Sequence, residues 1–534
     1  MVSTDLRCQN LVIGGGIAGI VTAFELLNGG QSVLLLDRDS EERFGGLALW
    51  AFGGMALVGT PEQRRYRIND SPGLALEDWI RFGELDSTDH WPRAWAECYV
   101  NESREWVYDW VKELGLKFMP AVNWVERGSS IRGNSVPRYH LLWGTGRELV
   151  QNLIKRLLQH PNQDRLTILH RHRATGLNFS NGAATGCEVK KEATNQVFSV
   201  KAENTIIATG GINGSEEQVR RHWPRHWPPA PDILLNGAHP FADGKIHRAA
   251  AEQGACLTHL DSMWNYAAGI PHPQAHFEGH GLSLIPCKTG LWLSPDGSSL
   301  GPAPMVTGYD TREMCRQVAG HPYTWQVLNW KIAAKEMAIS GAEHNPRIVK
   351  HQLIRFLLET ARGDDRLLRQ MVSESPEFVC SDDVAGLAKK MNGLSGTNQI
   401  SDRQLKARIE EYDRVMTNSE LRRKDPAISR ILNLRKWPGD KLRTCDRQRI
   451  DDRKAGPLVA IRLHFISRKS LGGLQTDLQG RVLDESGEAL AGLYAVGEAA
   501  GFGGGGASGK RSLEGTFLSG CILTARKTAA AICQ

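Results

Sequence analysis

The chain has 534 residues, a formal net charge of +6 at pH 7 and 10 cysteines. This length is too great for one compact core and predicts two or three domains. The small net charge argues against a nucleic-acid-binding protein, and a mixed-charge cluster at residues 422–454 is most simply a solvated helical surface. A chain without a strong charge bias and with an ordinary composition is expected to form a soluble globular protein.

Cysteine spacing, apolar runs and the N-terminal sequence argue against several classes of metal-binding, membrane and secreted protein. No two of them form a CxxC pair, so zinc and iron–sulfur sites of the usual spacing are not expected, and no metal site is predicted. No apolar run reaches the roughly 18 residues that a membrane span needs. The chain opens without a signal peptide, so free thiols and a cytoplasmic location are expected.

The first motif lies in residues 11–37. An apolar strand, a glycine turn, a helix, a second apolar strand and a terminal acid follow one another there. Gly14 permits the tight turn, Gly16 lets backbone N–H groups approach a phosphate, and Gly19 lets the helix pack on the strand, while Asp37 accepts hydrogen bonds from a ribose. This order predicts a dinucleotide site; the alternative is a structural glycine turn.

Two later motifs favour FAD over NAD. Residues 204–211 form a predicted strand that ends in Ala-Thr-Gly-Gly, with Thr209, Gly210 and Gly211 in the turn. Residues 492–501 form a second short strand that ends in Gly-Glu, and in flavoproteins of the two-dinucleotide type such a strand brings its acid, here Glu498, to the ribityl chain. No second GxGxxG follows a strand, so a built-in nicotinamide domain is not expected.

A glycine-bracketed loop follows the first motif. Gly45 and Gly46 begin it and Gly53 and Gly54 end it, with small and apolar residues between the two pairs. Backbone without side chains can approach a flat ring closely, so the loop is a candidate flavin contact; a glycine hinge is the alternative.

The chain is predicted to leave one domain and return to it. Residues 1–275 are interpreted as the first part of an FAD-binding domain, residues 276–450 as an inserted cap and residues 451–534 as the returning part. The fold class is α/β, with a discontinuous Rossmann-like FAD-binding domain of the two-dinucleotide type and an inserted α+β cap.

The order of GGGIAG, GGLALWAFGG, ATGG, SLGGLQTD and YAVGEAAG resembles the fumarate reductase and 3-ketosteroid dehydrogenase flavoprotein superfamily. Shorter strings, including residues 89–92 and 513–517, are similar to a group described only as FAD-binding dehydrogenases. The resemblance covers nearly the whole chain. It implies hydride transfer between flavin N5 and a carbon next to an activated C–C bond.

The resemblance also implies cofactor contacts. It adds Ala18, Arg38, Ala174, Thr516 and Phe517 to the FAD-binding residues already named. Leu47 and Ala48 stand where relatives with covalent FAD carry a histidine, so noncovalent FAD is expected.

Departures from the family point to the candidate catalytic residues. Tyr309 falls where soluble fumarate reductases have an arginine proton donor, and Arg468 stands where a dicarboxylate-binding histidine is expected. Dicarboxylate reduction is therefore disfavoured. Tyr309 is a candidate base, with a packing tyrosine as the alternative, and His464 is a candidate whose simpler interpretation is a core histidine.

The last candidates are a glycine run at residues 503–506 and two cations that follow it, Lys510 and Arg511. Arg511 is expected to hold a substrate oxygen or the edge of the reduced flavin, with a surface salt bridge as the alternative. Lys510 replaces a tyrosine of relatives. The glycine run either points N–H groups at an oxygen or forms a flexible loop beside the flavin.

These observations predict an FAD-dependent dehydrogenase or ene-type reductase that acts on an apolar, carbonyl-bearing substrate such as a steroid or polyketide-like ring. An external electron acceptor or donor would complete the cycle. A flavin oxidase or monooxygenase and a noncatalytic electron-transfer subunit stay open as alternatives. The sequence leaves the number of subunits open.

Overall fold

A computed structural model describes residues 6–301, 304–511 and 513–534. The chain divides into two compact units. The first unit comprises Met1–Pro224, Ala238–Trp264 and Arg468–Gln534, and the second comprises Arg225–Gly237 and Asn265–Ser467. The second unit is wider than the insertion predicted over residues 276–450. Two strands that flank the predicted insertion and were assigned to the FAD-binding domain, at residues 263–271 and 458–470, form the middle of the second unit's sheet.

The strands are, in chain order, β1 Leu6–Ile13, β2 Val33–Leu36, β3 Gly54–Ala56, β4 Phe118–Asn123, β5 Tyr139–Leu142, β6 Leu166–Leu169, β7 His172–Ser180, β8 Ala183–Lys191, β9 Val197–Ile207, β10 Leu234–Asn236, β11 Leu257–Thr258, β12 Met263–Pro271, β13 Gly281–Ile285, β14 Leu291–Leu293, β15 Thr324–Asn329, β16 Ala338–Ile339, β17 Phe378–Ser381, β18 Leu458–Ser470, β19 Gly473–Leu474, β20 Arg481–Leu483 and β21 Ala489–Ala495.

The α-helices are α1 Ile17–Asn28, α2 Pro61–Arg65, α3 Pro72–Gly83, α4 His90–Ser103, α5 Trp110–Glu113, α6 Thr145–Leu158, α7 Glu216–Arg221, α8 Lys245–Ala251, α9 Thr311–Val318, α10 Trp330–Glu336, α11 Pro346–Val349, α12 Leu353–Arg362, α13 Asp365–Glu374, α14 Val384–Ser395, α15 Asp402–Thr417, α16 Ser419–Lys424, α17 Pro426–Leu434, α18 Pro438–Arg443 and α19 Thr516–Ile532. Among the described residues, none of these helices combines the length and the apolar character needed to cross a bilayer.

The first unit is built on a mostly parallel sheet in the order β20-β21-β9-β1-β2-β6. Val12 of β1 pairs with Leu35 on one side and Ile206 on the other, and all three are fully buried. Both faces of a parallel sheet are covered, so its central strands are apolar throughout rather than alternating. Each such side chain contributes about 1.5–3 kcal/mol through burial. The predicted α/β Rossmann-like fold is confirmed.

The second unit centres on β18, which pairs with β15 and β17 in antiparallel register and with β10 in parallel register. Its sheet has the order β14-β15-β18-β12-β13-β16. Helices α9 to α18 follow along the chain between β14 and β18. The mixed sheet and the helices match the α+β character predicted for the inserted segment.

A buried ionic network stabilises the first unit. The Arg138 guanidinium donates to Asp70 Oδ1 at 2.8 Å and to Asp78 Oδ2 at 2.7 Å, and the three side chains are 3 % exposed or less. Ser135 donates from its backbone N–H to Asp78 Oδ2 at 2.8 Å and from its hydroxyl to Oδ1 at 2.6 Å. Removing the guanidinium would take the counter-charge from the buried Asp70 carboxylate, while Asp78 would keep its ion pair with Arg81.

We therefore expect Arg138→Met to lower the free energy of unfolding by about 3–5 kcal/mol, the usual cost of stranding a buried charge. Arg220→Met is the matched control, because its ion pair with Glu216 is 36 % and 56 % exposed. The control should lose about 0–1 kcal/mol. Urea unfolding followed by tryptophan fluorescence measures both, and equal losses in the two variants would contradict the assignment.

Candidate flavin site

Three sequence motifs meet at one edge of the first unit's sheet, where four strands end. The parallel strands β1, β2, β9 and β21 end together, and the chain leaves them at Gly14, Asp37, Ala208 and Val496. Strands β2 and β9 lie on opposite sides of β1, so their connections depart in opposite directions. Ligands of open α/β sheets bind in the crevice at such a switch point.

In the glycine turn after β1, Gly14 and Gly19 lie close to neighbouring backbone atoms, whereas Gly16 faces open space. Gly14 has φ +114°, and a Cβ there would lie 2.4 Å from the Ala208 carbonyl oxygen. A Cβ at Gly19 would lie 1.9 Å from the Gly14 oxygen, so glycine is needed there for the helix to pack. A Cβ at Gly16 would meet no atom within 4 Å. The turn therefore presents an open backbone face at the N-terminus of α1, the geometry that binds phosphate.

Asp37 lies directly against this turn. A Cβ on Gly15 would lie 2.3 Å from Asp37 Oδ2, while Asp37 Oδ1 accepts a hydrogen bond from the Asp39 N–H at 3.1 Å. Burial raises the pKa of the Asp37 carboxyl, and the hydrogen bond from Asp39 opposes that rise. The carboxylate is thus fixed beside the open turn, where a ribose next to a bound pyrophosphate would lie.

The loop that begins at Gly45 runs beside the same turn. The Gly45 N–H donates to the Gly15 oxygen at 3.0 Å, and a Cβ on Gly46 would lie 3.2 Å from Gly16 Cα. Leu47 and Ala48 follow in a short 3-10 helix, Gly46–Trp50. Gly53 precedes β3, and Gly54 within it pairs with Leu141. The loop thus borders the predicted phosphate site at its first glycine pair.

The Ala-Thr-Gly-Gly turn and the Gly-Glu strand form a second contact region. A Cβ on Gly211 would lie 2.4 Å from Glu498 Oε1, which also accepts a hydrogen bond from the Ser470 N–H at 3.0 Å. Thr209 Oγ1 is buried and has no hydrogen-bond partner in the described part of the chain. Gly210 lies between these two residues with φ +72°. An unpaired buried hydroxyl beside a fixed carboxylate fits a polar ligand such as the ribityl chain.

The charges of two cations, Lys469 and Arg468, act on the Glu498 carboxylate, and sequence reasoning identified only one of them. Arg468 was a candidate, but Lys469 was missed. Burial raises the pKa of the Glu498 carboxyl and Lys469 opposes that rise, while burial and the charge of Arg468 lower the pKa of the Lys469 ammonium. The signal was available in the sequence: two successive cations end the apolar strand β18, just before Gly472 and Gly473.

The last helix begins at this region. Thr516 and Phe517 are the first residues of α19, and both are buried. Lys469 Nζ lies 4.4 Å from the centroid of the Phe517 ring. The amino terminus of a helix carries a partial positive charge. The lysine and the helix terminus therefore form one electropositive locus.

Three of the FAD contacts expected from the family resemblance have neighbours within the first unit. Arg38 donates to Glu192 at 3.1 Å and to Asp243 at 3.2 Å, and its guanidinium lies 4.1 Å from the Phe241 ring centroid. Ala174 is a buried residue of β7 that pairs with Val189. Ala18 is buried in the first turn of α1. Contacts of these three residues with FAD stay predictions.

Two catalytic candidates lie in the second unit and are held by residues of that unit. The Tyr309 hydroxyl donates to the Arg430 carbonyl at 3.1 Å, and its ring packs with Val306, Ile431 and Leu434. His464 is 3 % exposed, with Nε2 3.4 Å from Glu377 Oε2. These surroundings favour the alternative interpretations, in which Tyr309 is a packing tyrosine and His464 a core histidine.

The Glu377 carboxylate that faces His464 is itself a bidentate partner of Arg462, with contacts of 2.6 and 2.9 Å. Burial raises the Glu377 pKa, but Arg462 and His464 overcome that effect and hold it at about 2. His464 therefore belongs to a buried ionic network inside the sheet.

Arg511 and Lys510 lie in the first unit. The Arg511 guanidinium pairs with the Glu84 carboxylate and lies 5.8 Å from the Phe82 ring centroid. The Lys510 side chain is exposed, and its backbone N–H donates to the Gly83 oxygen at 2.7 Å. Both residues therefore dock on the end of α3, and catalytic roles for them stay predictions.

The glycine run is neither an oxyanion cradle nor an exposed flexible loop. Gly503 and Gly505 donate to the Ala500 oxygen, Gly506 donates to Gly503, and Gly504 donates to Thr476 Oγ1 at 3.0 Å. All four glycines are buried. The N–H groups predicted to face a ligand oxygen are therefore already used within the first unit. Sequence alone could not show these hydrogen bonds.

Comparison with known proteins agrees with this geometry. The family described as FAD binding domain matches residues 10–518. The chain is 39 % identical to a KsdD-like steroid dehydrogenase of Mycobacterium tuberculosis, over 98 % of this chain and 95 % of that protein. A KsdD-like steroid dehydrogenase of Mycolicibacterium smegmatis is also 39 % identical, over 95 % of both chains.

Solved structures share the fold. The 3-ketosteroid Δ1-dehydrogenase of Sterolibacterium denitrificans in complex with 1,4-androstadiene-3,17-dione superposes with a TM-score of 0.69 at 16 % identity, covering 99 % of both chains. A flavocytochrome c3 fumarate reductase gives 0.67 at 18 % identity, over 99 % of this chain and 78 % of that one. These structures show the shared fold, and the family match together with the 39 % identical relatives shows that the chain belongs to the FAD binding domain family and is an FAD-dependent oxidoreductase.

Proposed function

We propose that the protein desaturates a ring ketone of the 3-ketosteroid class. The observation that carries this substrate class is 39 % identity to KsdD-like steroid dehydrogenases over nearly the whole chain. In such a reaction the substrate loses a proton from the carbon next to the carbonyl and a hydride from the following carbon, and a conjugated C=C bond forms. Bound FAD supplies the hydride acceptor.

The first unit has groups suited to hold FAD. The open face of Gly16 and the first N–H groups of α1 would bind the pyrophosphate, and Asp37 the ribose. Thr209 and Glu498 would contact the ribityl chain. Leu47 and Ala48 offer no nucleophile, so we propose noncovalent attachment.

Lys469, Arg468 and the amino terminus of α19 are proposed to stabilise the negative charge that arrives with the hydride. Lys469 and the helix terminus converge at Phe517, and the charge of Arg468 acts on Lys469. Positive groups fixed before the reaction stabilise developing negative charge without the cost of reorganising. The base that removes the substrate proton is not assigned to Tyr309, because the hydroxyl of that residue donates to a backbone carbonyl.

The remaining parts of the proposal concern the surroundings of the enzyme. Electrons delivered to the cofactor must leave it before the next turnover, so an external electron acceptor completes the cycle. All ten cysteines are free thiols, which supports a reducing, cytoplasmic setting.

The substrate class is tested by mixing the FAD-containing enzyme anaerobically with a saturated 3-ketosteroid, and separately with succinate. The ketosteroid should bleach the oxidised flavin spectrum and yield the enone, whereas succinate should leave the spectrum unchanged. Bleaching by succinate alone would overturn the substrate class. Rapid reduction by NADPH, followed by a C4a-peroxide absorbance with oxygen, would favour a monooxygenase.

The pyrophosphate assignment predicts that Gly16→Ala abolishes FAD binding without unfolding the protein. Gly16 has φ −75° and a Cβ there meets no protein atom within 4 Å, so only a bound ligand would collide with it. Gly393→Ala is the matched control, since its Cβ also meets nothing within 4 Å, in helix α14. Flavin content and circular dichroism measure the outcome. A yellow Gly16→Ala protein with normal FAD affinity would place the pyrophosphate elsewhere.

The charge assignment predicts that Lys469→Met makes the flavin harder to reduce. Loss of one partly buried cation should lower the midpoint potential by about 30 mV, which corresponds to about 1.4 kcal/mol for a two-electron couple. Lys527→Met is the control, because Lys527 pairs with Glu102 at 2.9 Å. Redox titration of both variants decides, and an unchanged potential in Lys469→Met would remove this residue from the flavin site.

A further inference from the structure

Three histidines and a glutamate–histidine pair meet in the second unit, and the reaction proposed above uses none of them. His272, His276 and His280 lie in the loop between β12 and β13. Glu343 and His344 follow β16, which pairs with β13 through Leu284 and Ile339. The antiparallel register therefore brings two loops that are distant in sequence to the same end of the sheet.

The two loops are fixed by their own backbones. The β12–β13 hairpin closes with a hydrogen bond from the His272 N–H to the His280 oxygen at 2.9 Å. In the other loop, the Asn345 side chain donates to the Ile339 oxygen at 3.0 Å and to the Gly341 oxygen at 2.6 Å. The imidazoles and the carboxylate are thus held in place by the loop geometry as well as by their mutual contacts.

The side chains converge on one small volume. The ligand atoms of His272, Glu343 and His344 all lie within 4.8 Å of one another. His272 Nε2 is 3.5 Å from Glu343 Oε2, and His276 Nε2 is 3.4 Å from Glu343 Oε1. The His272 ring stacks on that of His280 with a centroid distance of 4.4 Å and an interplanar angle of 7°.

These separations suit ligands around an ion. Two ligands that are each about 2.0–2.1 Å from a tetrahedral zinc ion lie about 3.3–3.4 Å apart. The separations of 3.5 and 3.4 Å are near that value and long for a charge-assisted hydrogen bond, which is usually about 2.7–2.9 Å. Small closing movements of the side chains would complete a coordination sphere.

Two imidazoles of the cluster differ in how readily they could bind an ion: His344 has a nitrogen without a hydrogen-bond partner in the described part of the chain, whereas His272 would have to change its tautomer. His272 is 8 % exposed, and its Nδ1 accepts a hydrogen bond from the Gln274 N–H at 3.0 Å. Because Nδ1 acts as an acceptor, the proton of neutral His272 lies on Nε2, and metal binding through Nε2 would move that proton to Nδ1 and break the hydrogen bond from Gln274. His344 Nε2 is buried and has no hydrogen-bond partner in the described ranges of the chain.

We propose that His272, Glu343 and His344 bind a divalent transition-metal ion of the zinc class, with His276 as the nearest candidate for a fourth ligand. Imidazole and carboxylate are the ligands that zinc takes when thiolates are absent. The ion would connect the β12–β13 loop to the loop after β16 and so stabilise the second unit. The role is structural and does not depend on the proposed substrate.

The prediction that the protein has no metal site rested on the spacing of its cysteines. The histidines give a different signal, because His272, His276 and His280 recur at every fourth position, and a Glu-His pair follows at residues 343 and 344. Only the pairing of β13 with β16 brings the two segments together.

The test is a titration of the FAD-containing enzyme with Co²⁺, after chelation removes bound metals and with no purification tag present. One equivalent should bind with a visible d–d spectrum, and Zn²⁺ should displace it, because zinc binds nitrogen and oxygen sites more tightly than cobalt. His272→Gln and Glu343→Gln should each weaken Co²⁺ binding at least about tenfold, since even groups that only support a ligand contribute about 10–100-fold.

His226→Gln is the matched control, because His226 is an exposed histidine of the same unit. It should bind Co²⁺ as the unaltered protein does, and Zn²⁺ should raise the melting temperature of the control but not of the two site variants. Flavin content checks folding throughout. Glu343 is exposed, so Glu343→Gln decides if His272→Gln fails to fold. No saturable binding, or equal affinity in control and site variants, would overturn the proposal.

Discussion

At the end of β1 the backbone approaches that of β9 so closely that a Cβ on Gly14 would lie 2.4 Å from the Ala208 oxygen. A similar constraint applies to Gly211, where an added Cβ would lie 2.4 Å from the Glu498 carboxylate oxygen Oε1. Real side chains do not tolerate such separations. The parallel register of β1, β2, β9 and β21 brings these contacts to one edge, and the candidate flavin site depends on them.

The motifs that sequence analysis interpreted correctly are those whose physics is local. A strand, a glycine turn and a helix are recognisable within about thirty residues because turn geometry and phosphate binding both act over that distance. The FAD cofactor, the family and the fold class were therefore predictable. The wider extent of the second unit was not predictable, because the partners of the apolar strand β18, such as β10 and β15, lie far from it in the chain.

The candidate catalytic residues show where local reasoning ends. Nothing near Tyr309 in the sequence indicates that Arg430 supplies a carbonyl to its hydroxyl, and nothing near His464 indicates Glu377. The glycine run looked free because its hydrogen-bond acceptors cannot be identified from sequence, yet Ala500, Gly503 and Thr476 already accept its N–H groups. Lys469 became a candidate only when the structure placed it over Phe517 and beside Glu498.

The central claim is that the open glycine turn and the adjacent acid hold the adenosine half of FAD. A crystal structure of the protein with bound FAD tests this claim most directly. The pyrophosphate should lie over Gly16 within about 2.7–3.2 Å of the first N–H groups of α1, with the ribose hydroxyls on Asp37. A pyrophosphate bound away from Gly16, or a ribose that makes no contact with Asp37, would contradict the account.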